Sequence, residues 1–216
     1  MRIFKTPKFF RWIYPGRIWG FSRLEKKVFL TFDDGPDPTI TPWVLDYLKK
    51  ENVKATFFCV GQNIEKNLSL FNQTIAEGHL CCNHTDNHAR GIKTGKKEYL
   101  DAVNTAEKHF DNNFFRPPYG RMTLGQYRAV KKSHKIVMWS WLSYDFDLKV
   151  SVENILKSAQ KIKNGDILVL HDNAKMAEKL KELLPLLIQD IKTKGFEFGL
   201  ISDAYTKERS NKVRRT

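Results

Sequence analysis

Acidic side chains are scarce in this chain. Against 37 Lys and Arg stand 24 Asp and Glu, a formal net charge of +13 over 216 residues. A surface of that sign attracts polyanions: anionic lipid head groups, acidic polysaccharide or nucleic acid. It also serves simply to keep a protein soluble. No nucleic-acid motif is present, so nucleic acid is not an expected partner. Long apolar runs are missing too, and nothing approaches the roughly 18 residues that a membrane span needs. Cysteine is sparse. Cys59, Cys81 and Cys82 are odd in number, lie in apolar, strand-like segments and match no disulfide scaffold or zinc knuckle. Free buried thiols are expected, which favours a reducing compartment. The opening residues Met1-Arg2-Ile3-Phe4-Lys5 lack the apolar core and cleavage site of a signal peptide. The expected location is the cytoplasm or the periphery of a membrane.

What is present alternates. Short apolar runs, Val28–Phe32, Ala55–Val60, His79–Asn83, Phe114–Arg116, Ile136–Trp141, Asp166–His171 and Phe196–Ile201, are separated by longer amphipathic stretches. Most runs are apolar on both sides, as parallel strands covered on both faces are. Seven strands with helices between them predict a single wound α/β fold or barrel. Thr41 is placed to cap the first helix, with Pro42 in its first turn. The stretch Lys96–Phe110 carries Tyr99, Leu100, Val103 and Ala106 at helical spacing, and Ser151 can cap a helix striped by Val152, Ile155, Ala159 and Ile162. The last helix runs from about Lys175 to Lys194. Pro185 within it predicts a kink or a late start, and Gly195 suits its stop.

Residues 1–27 fall outside this alternation, mixing Lys5, Lys8, Arg11 and Arg17 with Phe9, Phe10, Trp12, Tyr14 and Trp19. They fit an extension packed on the main domain, the preferred reading, or one that touches a membrane surface. Residues 28–206 form that main domain, and the polar, basic residues 207–216 are expected to be a flexible tail.

The polar residues that can carry chemistry share a position. Asp33-Asp34 follow the first strand, His84 and His88 the third, Arg116 closes the fourth, Asp145 follows the fifth and His171 ends the sixth. In a parallel barrel all these strand ends lie on one face, where active sites form. Adjacent carboxylates repel and are costly to bury without a cation. One Asp with two His gives three metal ligands and leaves a position open for water, as in catalytic metal sites. Each signal is weak alone. Asp-Asp-Gly-Pro makes ordinary turns, a His-x-x-x-His pair often does nothing, and Asp86-Asn87 between the two His read as loop-forming.

Taken together and in order, the segments Thr31-Phe32-Asp33-Asp34-Gly35-Pro36, His84-Thr85-Asp86-Asn87-His88, Arg116-Pro117-Pro118-Tyr119-Gly120 and Leu168-Val169-Leu170-His171 resemble the polysaccharide deacetylases. This is the chitooligosaccharide and peptidoglycan deacetylase family classed as carbohydrate esterase family 4. The resemblance spans about Val28 to Ile201 and implies an incomplete parallel (β/α) barrel of about seven strands. It implies a metal-dependent hydrolase that removes N-acetyl groups from a GlcNAc-containing glycan or oligosaccharide by attack of water. Asp33 would be the general base. Asp34, His84 and His88 would hold a divalent metal, most often zinc, with cobalt or nickel accepted by the same ligands. Arg116 would orient Asp33, and the Tyr119 N–H, with Pro118 and Leu168 beside it, would serve the oxyanion and substrate. His171 would be the general acid, with Asp145 as its partner and Asp147 as a weaker alternative. The segment Trp139–Asp147 departs from the family pattern: Leu142 replaces an Asp and Phe146 a Trp. That leaves the acetyl pocket and the substrate less defined than the reaction. An O-acetyl esterase, an amidohydrolase on a small non-sugar amide, and a non-catalytic carbohydrate-binding module are the competing readings. A monomer is expected.

Overall fold

A computed structural model describes residues 2–213, with side chains through Ser210; Met1 and residues 214–216 lie outside it. Among the described residues eight strands form: β1 (Lys27–Asp33), β2 (Thr56–Cys59), β3 (Leu80–Asn83), β4 (Phe114–Phe115), β5 (Lys135–Ile136), β6 (Trp141–Leu142), β7 (Ile167–His171) and β8 (Glu197–Phe198). Seven lie side by side in the order β5-β4-β3-β2-β1-β7-β6, every neighbouring pair parallel. Short β8 adds to the start of β1. The helices are α1 (Phe9–Ile13), α2 (Thr41–Lys50), α3 (Gly61–Lys66), α4 (Leu68–Ala76), α5 (Lys96–Glu107), α6 (Leu124–Val130), α7 (Val152–Ala159), α8 (Ala177–Thr193) and α9 (Ile201–Val213). The sheet curls into the incomplete parallel (β/α) barrel that the alternation and the motifs predict.

The period of two along each strand divides inside from outside. Val28, Leu30 and Phe32 of β1, Phe57 and Cys59 of β2, and Leu168 and Leu170 of β7 face outward. They pack with Leu45, Leu48, Ile155, Leu180, Leu184 and Leu187 from the surrounding helices. The alternate residues face inward. Phe29, Phe58, Cys82, Phe114, Val137 and Ile167 fill the lower barrel, and Ile201 at the start of α9 joins them. All three cysteines are free and buried.

The apolar run Ile136–Trp141 is not one strand. Its first residues pair with β4 and its last with β7, at opposite edges of the sheet. The chain between them crosses the gap of the open barrel, so no single strand can serve both edges. The N-terminal segment supplies the missing partners. Leu142 N–H donates to the carbonyl of Phe4, Thr6 N–H to Ser140, Ile18 N–H to Ile136, Met138 N–H to Ile18 and Phe21 N–H to Gly165. Trp19 and Phe21 are buried there, whereas α1 between these contacts has no buried residue.

Other local expectations divide. Ser151 caps α7 through the Asn154 N–H, and Gly195 takes the left-handed conformation at φ +74° after α8. Helix α8 runs through Pro185 without ending. Thr41 does not cap α2 but stands as its first residue, because its hydroxyl is drawn to Asp172, 2.6 Å away. The stretch Phe196–Ile201 pairs only over β8. Residues 207–213, expected as a flexible tail, continue helix α9. Ala204 and Tyr205 pack on the lower-barrel cluster, and Lys207 pairs with Glu25.

Candidate active site

Above the apolar floor of the barrel lies one fully buried cation. Arg116, just past β4, donates from Nη1 to Asp33 Oδ1 (2.5 Å) and to Thr31 Oγ1 (2.7 Å), and from Nη2 to the carbonyl of Met138 (3.1 Å). Its guanidinium carbon lies 4.0 Å from the centroid of Phe58. Burial lowers the Arg116 pKa and Asp33 opposes that effect. A charge so deep stands only when paired and hydrogen-bonded on every side. Among the described residues no protein group donates to Asp33 Oδ2. One oxygen of Asp33 is thus fixed and the other faces the cleft.

Asp34 turns away from its neighbour because its φ is +84°, a left-handed backbone costing of order 1 kcal/mol or more in a non-glycine residue. Three contacts hold it there. Its N–H donates to Phe58, Asn63 donates to its carbonyl (2.8 Å), and Asn173 Nδ2 donates to its Oδ2 (2.8 Å). Oδ1 then lies 3.2 Å from His88 Nε2 and 3.7 Å from His84 Nε2. Ligand atoms of the three residues all fall within 4.8 Å of one another. The donor set, one carboxylate and two imidazoles on one point, fits a divalent cation. The ring protonation fits as well. His84 Nδ1 sits 2.7 Å from the Arg116 carbonyl, so that nitrogen carries the hydrogen and Nε2 offers its lone pair. Burial lowers the His84 pKa to about 4, keeping it neutral. Burial pushes the Asp34 carboxyl upward, but His88, His171 and His84 outweigh it and hold it below the usual carboxylate range.

The segment 84–88 is a loop and not a helical turn. Thr85 and His88 have φ of 66° and 54°. Thr85 N–H turns back onto Asn83 Oδ1, and Ala89 N–H onto Thr85 Oγ1. Asp86 and Asn87 are loop residues, as their types predicted.

His171 ends β7 in register with Asp33 on β1. Its Nδ1 lies 2.7 Å from Asp145 Oδ1, and its own N–H donates to Asp145 Oδ2. Asp145 is fully buried and also accepts from Ser143 Oγ and the Phe146 N–H. Burial disfavours the imidazolium, yet the Asp145 charge and hydrogen bond prevail and raise the His171 pKa to about 10. Asp147 is engaged elsewhere, with Arg2 and the Lys149 N–H, and does not meet His171.

Asp33, Asp34, His84, His88 and His171 open into one cleft of about 580 Å³ whose apolar wall includes Trp139, Leu142, Phe146 and Val169. Phe146 stands edge-on to His171, the ring centroids 5.1 Å apart. Tyr119 lies at the rim at φ +58°, and its N–H makes no hydrogen bond to a described residue. Two of the residues expected at the substrate are not on this wall. Leu168 points outward into the helix-covered core, because its pleat neighbours Val169 and His171 take the inward positions. Pro118 is buried, and its carbonyl holds the turn by accepting from Arg121.

Thr31, Asn173 and Asp172 were missed by sequence reasoning. Thr31 was legible, two residues before Asp33 on the inward face. Asn173 carried no signal, since only the fold brings it to Asp34. Asp172 accepts from Thr41 Oγ1 and the Gly35 N–H, and burial pushes its carboxyl well above the usual range. A Cβ at Gly35 would collide with that carboxyl, which explains the glycine in the Asp-Asp-Gly-Pro run.

The geometry has counterparts in known proteins. The sequence pattern of the polysaccharide deacetylase family matches residues 22–139. A peptidoglycan-N-acetylglucosamine deacetylase of Bacillus cereus is 33% identical over 193 residues, covering 86% of this chain and 91% of that protein. A chitooligosaccharide deacetylase of Bradyrhizobium is 32% identical over 192 residues, covering 80% and 87%. Among solved structures, a peptidoglycan N-acetylglucosamine deacetylase in complex with 4-naphthalen-1-yl-N-oxidanyl-benzamide superposes with a TM-score of 0.83 at 30% identity. That match covers 92% of this chain and 96% of the other. The chain belongs to the polysaccharide deacetylase family.

Proposed function

We propose that the protein is a metal-dependent hydrolase that removes N-acetyl groups from a GlcNAc-containing glycan or oligosaccharide. The observation that carries this reading is the meeting, in one cleft, of Asp33, the Asp34–His84–His88 cluster and His171. Zinc is the favoured cation for one carboxylate and two imidazoles, and cobalt or nickel suit the same donors. When bound, such a cation polarises the acetyl carbonyl and makes water a better nucleophile near neutral pH.

The residues then divide the proton work. Asp33 Oδ2 takes a proton from the attacking water while Arg116 fixes Oδ1. The carbonyl carbon gains a C–O bond, and the Tyr119 N–H donates to the oxyanion that develops. The C–N bond breaks as His171 Nε2 passes its proton to the nitrogen, giving acetate and a free amine. Asp145 holds the opposite ring nitrogen, so Nε2 is the one that donates. Leu142, Phe146 and Val169 supply apolar contact for the acetyl methyl. An amine leaves only when protonated, so a strongly held imidazolium favours N-acetyl over O-acetyl substrates. A purely carbohydrate-binding role would have no use for the paired base and acid.

No helix among the described residues is long and apolar enough to cross a membrane. Contact with a membrane surface is a separate reading, favoured by the exposed Phe9, Trp12 and Ile13 of α1 beside Lys8 and Arg11. Sedimentation with anionic vesicles, wild type against Trp12→Ala, tests it.

The functional test measures acetate released from N-acetylated oligosaccharides by protein stripped of metal and reloaded with zinc. His84→Ala is expected to lose both bound zinc and acetate release. A zinc-loaded wild type inactive on every acetylated glycan offered would sink the proposal.

A further inference from the structure

A second hollow, of about 730 Å³, adjoins the catalytic cleft and shares Tyr119, Arg121, Trp139, Leu142 and Phe146 with it. Its far wall is the N-terminal segment, with Phe10, Tyr14 and Arg17 facing the shared residues. The two spaces meet at these shared side chains, and one wall of the second comes from residues outside the barrel's strands and helices.

Arg17 is unusual in that wall. It forms no ion pair with any described residue, and no carboxylate is among the groups that act on its charge. Its guanidinium lies over the ring of Tyr14 (4.5 Å) and the ring of Tyr127 (5.0 Å). Its Nε is buried without a hydrogen-bond partner. Tyr127 is fixed in turn, its hydroxyl donating to the carbonyl of Pro15 at 2.5 Å. A buried donor on a cation costs free energy until an acceptor meets it. The aromatic rings shared by the two hollows offer flat apolar faces of the kind on which sugar rings pack.

We infer that this hollow is a binding subsite for the glycan chain beyond the reacting sugar, and that it takes a unit bearing a carboxylate, which Arg17 meets. The inference rests on the glycan reading above and adds a preference to it: acidic strands over neutral ones. The N-terminal segment thereby acts in substrate selection as well as closing the barrel.

The test uses the full chain and the variant Arg17→Met, which keeps an unbranched chain between the two tyrosines. Substrates are a neutral N-acetylglucosamine oligomer and a glycan fragment of equal length whose alternate sugars carry carboxylates. Wild type is expected to favour the acidic fragment through KM. Arg17→Met should cut that preference about tenfold, the scale of one charge-assisted hydrogen bond at a partly solvated site. Added salt should erode the wild-type preference in the same direction. A wild type without the preference, or a variant that changes both substrates equally, overturns the inference; the second result marks Arg17 as a strut. Binding to metal-stripped protein, followed by tryptophan fluorescence, separates the two proposals. If neither substrate is hydrolysed but Arg17→Met binds the acidic fragment more weakly than wild type, the subsite stands and the deacetylase reading falls. Equal binding by both proteins removes the subsite.

Discussion

The ends of β1 and β7 carry two charged pairs built in opposite senses. On β1 a carboxylate, Asp33, faces the cleft and a guanidinium lies beneath it. On β7 an imidazole faces the cleft and a carboxylate lies beneath it. The buried member differs in its support. Arg116 is tied to Thr31 and to the backbone of Met138, within the core of the barrel. Asp145 is tied to its own turn, through Ser143 and Phe146, and to the sheet only through the N–H of His171, its own partner. The buried member of the first pair is thus anchored in the barrel and that of the second in a loop. A protein can retune a proposed acid held from a loop without endangering its core, and the two expected departures from the family pattern flank that loop, Leu142 at the end of β6 and Phe146 within the turn.

Four experiments break or sharpen this contrast. The largest effect is expected from Asp33→Asn, which removes the proposed base. Turnover should fall about 100- to 10,000-fold, while zinc stoichiometry by elemental analysis stays at the wild-type value. Unchanged turnover would remove Asp33 from the chemistry. Next is Arg116→Met, which leaves Asp33 buried without its cation. Urea denaturation should show a loss of about 3–5 kcal/mol, and the double variant with Asp33→Asn should regain part of it. If the double variant is no more stable than Arg116→Met, the pair is not the source of the loss.

The third experiment is Asp145→Asn. The His171 pKa is raised to about 10 against burial, chiefly by the Asp145 charge. Removing that charge should move the alkaline limb of the pH–rate profile downward, towards the ordinary imidazole value of about 6.5. The same shift has a stability consequence in the metal-free protein. The raised value stabilises the fold fully below about pH 6.5, and that contribution is lost as the pH climbs through about 10. Melting temperatures of the metal-free wild type should fall over that range, and those of Asp145→Asn should fall less. An unshifted limb in the variant would dismiss Asp145 as the tuning group. The smallest effect belongs to Asn173→Ala, which frees Asp34 Oδ2. Zinc affinity, measured by competition with a chelator, should weaken about tenfold. Unaltered affinity would show that Asp34 is positioned by its backbone alone.

Much of the scaffold was readable before any coordinates. Strands such as Val28–Phe32 and Asp166–His171 are apolar on both faces because both are covered, and the polar residues that follow them stand out for that reason. Ile136–Trp141 was misread because an apolar run does not reveal that its two halves pair with opposite edges of a sheet. Leu168 was misplaced by one pleat, the error to which a motif without a register is open. Thr41 was read as a cap because local sequence cannot show Asp172 approaching from 131 residues away.

The sequence by itself determined which residues could hold a cation and move protons, and the order in which strands deliver them, because residue type sets ligand chemistry and hydrophobic period sets the elements. Only the tertiary structure decided how they are used. Closing the sheet fixed which oxygen of Asp33 is free, set Asn173 against Asp34 and Asp145 under His171, and laid residues 4–21 across the open edge. Those relations depend on burial and distance between segments far apart in the chain, and no local pattern encodes either.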